Sequence, residues 1–402
     1  MESKCSARVV FMSGIPRTVW MLGVVSFFTD LSSEMIYPLL PVFLSTVLGA
    51  TALQLGLIEG VAEATASLLK MVSGIWTDRV RRRKPLIIFG YSISGFFRPF
   101  IGLAGSWHFV LALRFLDRVG KGVRSSPRDA LIADVTVKEQ RGAAYGLHRS
   151  MDHAGAVVGP LVAAALLMIP GMELRKIFFV AALPALVTLS VLVFGVKEEK
   201  PSILATKSKP FTLFQDWRKL GREFKVFLVA LIVFTLGNST DAFLLVKLSK
   251  AGVAASSIAL LWSLHHVVKM VGTYYGGKLS DRLGRRPIIV TGWFYYAAIY
   301  LAFAFTESPN VLIAVFLLYG FYFGLVEPSE RALVADLVPE SLRGTAFGYF
   351  HFAVGLAALP ASVIFGLVWQ TWGATHAFVM GSVFAVTGSA LLFFIPHQKV
   401  AQ

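Results

Sequence analysis

Residues 74–85 read GIWTDRVRRRKP, and residues 276–287 read GGKLSDRLGRRP. Each stretch interrupts a strongly apolar part of the chain with one acid and a cluster of bases. The two stretches align at an offset of 203, which places Asp78 on Asp281. Matching stretches about half a chain apart are typical of an internal repeat.

A second pair of segments supports the repeat. Residues 128–146 (RDALIADVTVKEQRGAAYG) align with residues 330–348 (ERALVADLVPESLRGTAFG) without gaps, at an offset of 202. Arg141 and Arg343 occupy equivalent positions in this alignment. The chain is therefore predicted to contain two related halves.

The composition indicates a membrane protein. The 402 residues are 56% hydrophobic and only 15% charged, whereas soluble proteins carry roughly 25% charged residues. Apolar runs of about 20 residues, long enough to cross a hydrocarbon core of about 30 Å, recur along the chain. The predicted fold class is an all-α polytopic membrane protein.

The net charge of +15 would suit a nucleic-acid-binding protein. Here the bases lie mainly in alternate loops between the apolar runs, as the positive-inside rule requires. These loops, and with them both termini, are predicted to be cytoplasmic, and no nucleic-acid partner is expected.

The single cysteine, Cys5, permits neither an intramolecular disulfide nor a CxxC motif. The first apolar run begins near Val19 and contains Asp30 and Glu34. It also lacks a short apolar region followed by a small-residue cleavage site, so a removable signal peptide is not expected.

Twelve membrane spans are predicted, six in each half. Their expected positions are 18–47, 52–77, 85–105, 107–127, 142–168, 175–195, 225–248, 255–278, 287–305, 310–330, 344–369 and 374–395. An even number of spans per half makes the halves parallel repeats. The predicted organisation is an N-terminal six-helix bundle (1–196), a cytoplasmic linker that can include one amphipathic helix (197–224), and a C-terminal six-helix bundle (225–402).

With these features the chain resembles the major facilitator superfamily over almost its whole length. The family's loop motif has a glycine, an Asp-Arg pair, a second glycine and two bases. In the second half it is matched by Gly277, Asp281, Arg282, Gly284, Arg285 and Arg286. In the first half it is matched by Gly74, Asp78, Arg79, Arg82 and Arg83, with Arg81 in place of the second glycine.

The resemblance implies a gating role for this motif. Asp78 and Arg79 are expected to form a charge latch that holds the bundles together on the cytoplasmic side. The expected partner is a base near the end of span 4, either Arg124 or Arg128. By the same resemblance, Asp281 and Arg282 would act as the second copy of the latch.

Span 5 resembles the family's antiporter motif, which is associated with exchange and efflux. Gly146, Gly155, Gly159 and Pro160 have the motif's spacing, although alanines replace its final glycine pair. Small residues let helices approach closely, and proline bends a helix. Close packing of spans 5 and 8 is an alternative explanation for the glycines.

Ionisable residues at membrane depth cost roughly 2.5–3.5 kcal/mol each, so they normally face a cavity and pair. The predicted substrate or coupling residues are Asp30, Glu34, Glu59, Glu63, Arg118, Lys121, Arg149, Asp152, His153, Asp241, His265, His266 and Lys269. Several have apolar counterparts in the other half, as expected for a functional site. The alternative is a salt-bridge network in which acids of spans 1 and 2 neutralise bases of span 4.

The chemistry of these residue types suggests their roles. Buried carboxylates can carry protons, which applies to the acids of spans 1 and 2. The bases Arg118, Lys121 and Arg149 can hold an anionic group or act as counter-ions. For His265 and His266, proton coupling or substrate binding, a metal site and simple packing all remain open.

The function predicted from these features is secondary active transport by alternating access, with protons exchanged for a small organic solute that is exported. The alternatives are transport of iron, another metal ion or a metal chelate such as a siderophore, and a non-transporting receptor with the same fold. No enzyme activity and no cofactor are expected. The predicted partners are the lipid bilayer, protons and the solute, for a monomer in the bacterial inner membrane.

Overall fold

A computed structural model describes residues 14–37, 39–50, 52–80, 82–196, 198, 216–253 and 255–392. Twelve long helical segments lie within these residues. They are α1 (Arg17–Glu34), α2 (Ala52–Val80), α3 (Lys84–Leu103), α4 (Trp107–Val135), α5 (Arg141–Leu167), α6 (Leu174–Gly195), α7 (Arg222–Lys250), α8 (Ala255–Leu283), α9 (Arg285–Phe305), α10 (Pro309–Asp336), α11 (Arg343–Trp372) and α12 (Ala374–Leu392). The prediction of twelve spans is confirmed.

Two of the segments are interrupted. After α1 the chain continues through a turn into two short helical segments, Leu40–Val42 and Phe43–Val47. Helix α7 breaks after Gly237 and resumes at Ala242. The Tyr296 hydroxyl donates to the Gly237 carbonyl oxygen at 3.1 Å, so the break leaves this carbonyl with a partner.

Eight of the twelve segments are long and apolar enough to cross a membrane by length and composition alone. The other four are α1, α2, α4 and α8. Those four contain most of the ionisable residues that the sequence places at membrane depth. The four helices that fall short of this criterion therefore carry most of the candidate residues.

Helices α4 and α10 continue further than predicted, to Val135 and Asp336 instead of 127 and 330. At 1.5 Å per residue, helices of 28 or 29 residues exceed a hydrocarbon core of about 30 Å. Their polar ends project beyond the apolar layer and pair with the other bundle. The predicted end of span 12 at 395, Arg81 and most of the linker fall outside the described residues.

The helices form two pseudo-symmetric six-helix bundles. Helix α2 packs on α4 in its own bundle and on α11 across the interface, and α8 packs on α10 and α5 in the equivalent way. The interface is close because glycines line it. A methyl group on Gly74 would lie 2.2 Å from the Gly344 carbonyl oxygen, and one on Gly277 would lie 2.1 Å from that of Gly142.

Candidate functional site

A cavity of about 330 Å³ lies among α1, α2, α3 and α4. Its lining contains four acids, Asp30, Glu34, Glu63 and Asp117, and five bases, Arg98, Arg114, Arg118, Lys121 and Arg124. Six of these nine residues were singled out from the sequence as substrate, coupling or gating residues. The cavity reaches from Arg124 toward Tyr37 and Ile101.

Helix α4 supplies most of the bases because of its periodicity. Arg114, Arg118 and Lys121 follow one another at intervals of four and three residues, which places them on one helical face. One turn further on, Arg124 lies 4.1 Å from the ring centre of Tyr91. Part of the positive charge is thus held against an aromatic face.

Asp117 neutralises part of the positive charge that α3 and α4 bring to the cavity. Its carboxylate accepts a hydrogen bond from Arg98 at 2.8 Å and lies 3.6 Å from Arg114. Arg98 was not among the residues predicted from the sequence. The available signal was a base inside the apolar span 3, where an unpaired charge would be costly.

Asp30 of α1 and Asp152 of α5 form a carboxyl pair. Their carboxyl groups lie close enough to share a hydrogen bond, and the Ser26 hydroxyl donates to Asp152 at 2.5 Å. An ionised carboxylate only accepts hydrogen bonds, so a bond between two carboxyl groups needs a proton on one of them. Asp30 also lines the cavity, so a proton shared by the two carboxyl groups would lie at the cavity wall.

The predicted group of Arg149, Asp152 and His153 extends across the bundle interface. Arg149 pairs with Asp152 on its own helix. It also donates to both oxygens of Glu327 on α10, at 2.9 and 3.0 Å, and His153 Nε2 lies 3.3 Å from the same carboxylate. Glu327 was missed in the sequence, although it is an acid inside the predicted span 10.

In the C-terminal bundle, Asp241 lies at the break in α7. It accepts a hydrogen bond from the Tyr319 hydroxyl at 3.0 Å, and its carboxylate is 3.6 Å from Lys269 Nζ. The Lys269 ammonium also lies 3.6 Å from the ring centre of Phe323. These contacts bring two predicted residues, Asp241 and Lys269, together with the aromatic side chains of Tyr319 and Phe323.

The two adjacent histidines point in different directions. His265 is buried and stacks on Phe316 and Tyr319, with ring centres 4.7 and 5.4 Å apart. His266 lies 5.6 Å from the His153 ring. In the part of the chain that the structure describes, no group of three or more His, Cys, Asp or Glu residues is arranged to hold a metal ion.

Glu34 and Glu63 both line the cavity, from α1 and α2. Among the described residues, neither carboxylate nor Lys121 makes an ion pair. Both carboxylates nevertheless interact electrostatically with Lys121 and Arg118 over longer distances, so the network between acids of spans 1 and 2 and bases of span 4 stays a prediction. Glu59 lies on α2, and its side chain is outside the described part of the structure.

The first loop motif binds the start of α11. Asp78 accepts hydrogen bonds from the backbone N–H groups of Gly344 and Thr345 at 2.9 and 2.6 Å, and from Arg83 at 2.9 Å. A carboxylate at a helix N-terminus is stabilised by the unpaired N–H groups and the helix dipole. Asp78 thus joins α2 to the other bundle, beside Arg79 at the end of α2.

The expected partners of Asp78 are therefore corrected. Arg128 donates to the neighbouring Asp129 at 3.0 Å, and Arg124 packs on Tyr91. Asp129 in turn lies 2.8 Å from His351 Nε2 on α11. Arg124 and Arg128 belong to the polar interior of the N-terminal bundle and its boundary with α11.

The second motif makes the equivalent contacts. Asp281 accepts from the backbone N–H groups of Gly142 and Ala143 at 2.9 and 2.7 Å and pairs with Arg285. Arg282, the other predicted gating residue of this motif, is exposed at the end of α8. Both copies of the motif therefore hold the first turn of a helix in the opposite bundle.

Two crossed ion pairs accompany the motifs. Arg141 pairs with Asp336 at 2.5 Å, and Arg343 pairs with Asp134 at 2.7 Å. The repeat offset of 202 relates Asp134 to Asp336 and Arg141 to Arg343, so the two ion pairs are equivalent. Each pair joins the two bundles. The structure is thus closed at the end where the basic loops lie.

The glycines of span 5 have two different neighbours. A methyl group on Gly146 would lie 2.4 Å from the Thr273 carbonyl oxygen on α8. Equivalent groups on Gly155 and Gly159 would instead meet α1, at 2.3 Å from the Phe27 oxygen and 2.8 Å from the Glu34 Cβ. Packing between spans 5 and 8 therefore accounts for only the first glycine. Pro160 lies inside the same helix, directly after Gly159.

Two related six-helix bundles with buried charges around a cavity are the architecture of a polytopic membrane transporter. The Major Facilitator Superfamily model matches residues 22–361 and 226–401. The chain belongs to this superfamily.

Known proteins with similar sequences or structures are consistent with this membership. The chain is 33% identical over 387 residues to the MFS-type transporter MJ1317 of Methanocaldococcus jannaschii, with 95% of each chain covered. It is 24% identical over 340 residues to the multi-drug resistance efflux pump PmrA of Streptococcus pneumoniae, covering 82% of this chain and 84% of the pump. The human organic anion transporter MFSD10 has a similar fold, with a TM-score of 0.76 at 18% identity over 94% of this chain and 99% of that one.

Proposed function

We propose that the protein is a proton-coupled antiporter that exports a small organic solute by alternating access. Residues 1–196 and 225–402 move as two bundles about the central site, and residues 197–224 connect them. The protein acts as a monomer in a bacterial inner membrane, with both termini in the cytoplasm. The close pair of carboxyl groups of Asp30 and Asp152, between the cavity and Arg149, carries the proposal.

The pair connects the cavity to the bundle interface. Asp30 faces the cavity, whereas Asp152 contacts Arg149, which holds Glu327 of the other bundle. When the shared proton leaves, two carboxylates face each other and repel. Arg149 must then neutralise both, which weakens its attraction to Glu327. Proton release thereby favours separation of the bundles at this point.

Two observations support exchange and export as the direction. The Gly146, Gly155, Gly159 and Pro160 pattern resembles the antiporter motif, and two of its glycines place α5 directly against the helix that carries Asp30 and Glu34. A relative that covers most of the chain is named as an efflux pump.

The test uses purified protein in liposomes with an imposed pH gradient and an internal pH dye. A panel of amines, organic acids and amino acids is added, and proton movement is followed for each solute. Asp30→Asn mimics the protonated carboxyl, so we expect it to abolish solute-driven proton movement while solute still equilibrates down its own gradient. Glu340→Gln, at an acid exposed in the loop before α11, is the matched control.

Two outcomes of this assay would contradict the proposal. If no solute moves protons through the native protein, proton coupling is wrong. If Asp30→Asn and Asp152→Asn both leave solute-driven proton movement unchanged, the coupling site lies elsewhere.

A further inference from the structure

Two contacts between equivalent helices join the bundles, and their bases differ in chemistry. In the first, Arg149 of α5 holds Glu327 of α10. The repeat offset of 202 places His351 of α11 on Arg149, and His351 Nε2 lies 2.8 Å from the carboxylate of Asp129 on α4. Arginine keeps its charge at every physiological pH, whereas histidine gains or loses its charge near neutral pH. The second contact is therefore the one that can respond to protons.

The Asp129 carboxylate is already compensated by two arginines. Arg128 donates to its Oδ1 atom from two nitrogens, both at 3.0 Å. The guanidinium of Arg331 on α10 lies 3.8 Å from Oδ2, the same oxygen that His351 contacts. An uncharged imidazole is therefore sufficient as the third donor. Its hydrogen is on Nε2, because an ionised carboxylate only accepts.

A charged imidazole would add to an excess of positive charge in the closed arrangement. The ionisable groups that face His351 are Asp129 of α4, Arg331 of α10 and Lys70 of α2. Arg128 lies on the other oxygen of Asp129. The site thus contains one acid and three bases before His351 is counted. The side chains of His351 and Asp129 are only 11% and 1% exposed, so water screens the repulsion weakly.

We infer that His351 makes closure of the bundles depend on cytoplasmic pH, because a proton on its imidazole opposes the approach of α11 to α4. When the bundles separate on the cytoplasmic side, the imidazole leaves Asp129 and meets water, where histidine titrates near pH 6.5. A proton bound in that form must be released before the bundles close again. Acidification therefore favours the form open to the cytoplasm.

The inference rests on the bundle movement of the proposed function, but not on proton coupling through Asp30. The two effects have opposite signs. Loss of a proton from the pair of Asp30 and Asp152 favours separation of the bundles, whereas at His351 the gain of a proton does so. Measurements at several pH values can therefore distinguish the two sites.

Distances between the bundles test the inference in the purified full-length protein. Spin labels are attached to Glu139→Cys and Ser341→Cys, at exposed positions in the loops before α5 and α11, and pulsed EPR follows their separation. Cys5→Ser removes the single native cysteine. We expect the ratio of open to closed molecules to rise about tenfold between pH 7.5 and pH 5.5. This is the change produced by one group that titrates near pH 6.5 in the open form only.

Two substitutions at His351 separate the proton from the hydrogen bond. His351→Gln keeps an uncharged donor for Asp129 and takes up no proton, so the open fraction should stay low at both pH values. His351→Arg carries a permanent charge and should show at pH 7.5 the open fraction that the native protein shows at pH 5.5. His376→Gln is the matched control, because it removes an exposed histidine that contacts the Trp372 carbonyl oxygen, and it should keep the native response.

Three outcomes would overturn the inference. The open fraction of the native protein could stay constant or fall on acidification, it could rise equally in the His351→Gln variant, or its rise could be lost in Asp30→Asn instead. If a variant at His351 does not fold, the sign of the native response and its persistence in Asp30→Asn still decide.

Glu327→Gln shows whether the transport proposal fails as well. If this variant opens the bundles at pH 7.5 and the native protein does not respond to pH, only the role of His351 is wrong. If neither change separates the bundles, the proposed movement is wrong and the inference fails with it.

Discussion

Arg149 on α5 donates hydrogen bonds to both carboxylate oxygens of Glu327 on α10, at 2.9 and 3.0 Å. The two residues are 178 positions apart and belong to different bundles. Their side chains are largely buried, with relative exposures of 16% and 19%. A two-point contact of this kind fixes both distance and orientation. It ties the carboxyl pair of Asp30 and Asp152 to the relative position of the bundles.

Glu327→Gln should weaken this connection. The amide keeps one acceptor but loses the charge, so we expect the closed arrangement to lose about 1.5–3 kcal/mol relative to a form open at the cytoplasmic side. The accessibility of cysteines introduced into α5 and α10 on that side should increase in a labelling assay. Glu307→Gln, which removes an acid from a largely exposed side chain, should leave labelling unchanged. Unchanged labelling of the Glu327 variant would show that the contact does not stabilise closure.

Asp78→Asn tests the contact between α2 and α11. Asparagine cannot accept from both Gly344 and Thr345 N–H groups as a carboxylate does, and it no longer interacts with the positive end of the helix. We expect turnover in liposomes to fall about tenfold, which corresponds to about 1.4 kcal/mol. The affinity for solute should be nearly unchanged, because Asp78 is outside the cavity lining.

Asp281→Asn provides the pseudo-symmetric comparison, since Asp281 makes the same contacts with Gly142 and Ala143. It should reduce turnover in the same direction. An equal loss of turnover and solute affinity in the Asp78 variant would contradict a gating role.

Gly277→Ala should prevent complete closure. The added methyl group would lie 2.1 Å from the Gly142 carbonyl oxygen, a backbone atom that cannot move without shifting α5. We expect loss of transport and increased labelling of cytoplasmic cysteines, with solute binding retained. Gly60→Ala is the matched control, because nothing lies within 4 Å of its added methyl group. Normal transport by the Gly277 variant would show that the two helices need not approach this closely.

His265→Phe distinguishes packing from chemistry in α8. The imidazole stacks on Phe316 and Tyr319, and a phenyl ring can make the same stacking contacts. We expect transport within about twofold of the native rate and a stability change below about 1.5 kcal/mol, as for other volume-conserving replacements in a core. Complete loss of transport with an unchanged melting temperature would instead give His265 a role in proton transfer or substrate binding.

Much of the architecture could be predicted from local properties of the sequence. The span from 287 to 305 coincides almost entirely with Arg285–Phe305 because the length of an apolar run directly reflects the thickness of the membrane. The repeat that pairs Asp78 with Asp281 also appears in the structure as two equivalent contacts. The predicted helix ends were less accurate where a helix continues through polar residues, as it does up to Val135. The charges of these residues are neutralised by the other bundle, which the local sequence does not reveal.

The sequence allowed us to predict which residues belong to the site, but not which residues they contact. Asp30, Glu34, Glu63, Arg118 and Lys121 were all identified because charge at membrane depth is costly and therefore informative. The pairing of Asp78 was not, because its partners are backbone N–H groups 266 and 267 residues away, which have no side-chain signal.

The sequence by itself determined the number of membrane helices, the internal repeat and the set of charges that the membrane forces into the interior. These depend on composition and spacing along one chain segment at a time. Only the tertiary structure decided that Asp30 meets Asp152, that Arg98 neutralises Asp117 and that Glu327 holds Arg149. Such contacts depend on which helices are neighbours and how each is rotated about its axis. Both are set by packing across the whole molecule, including the close glycine contacts between α5 and α1.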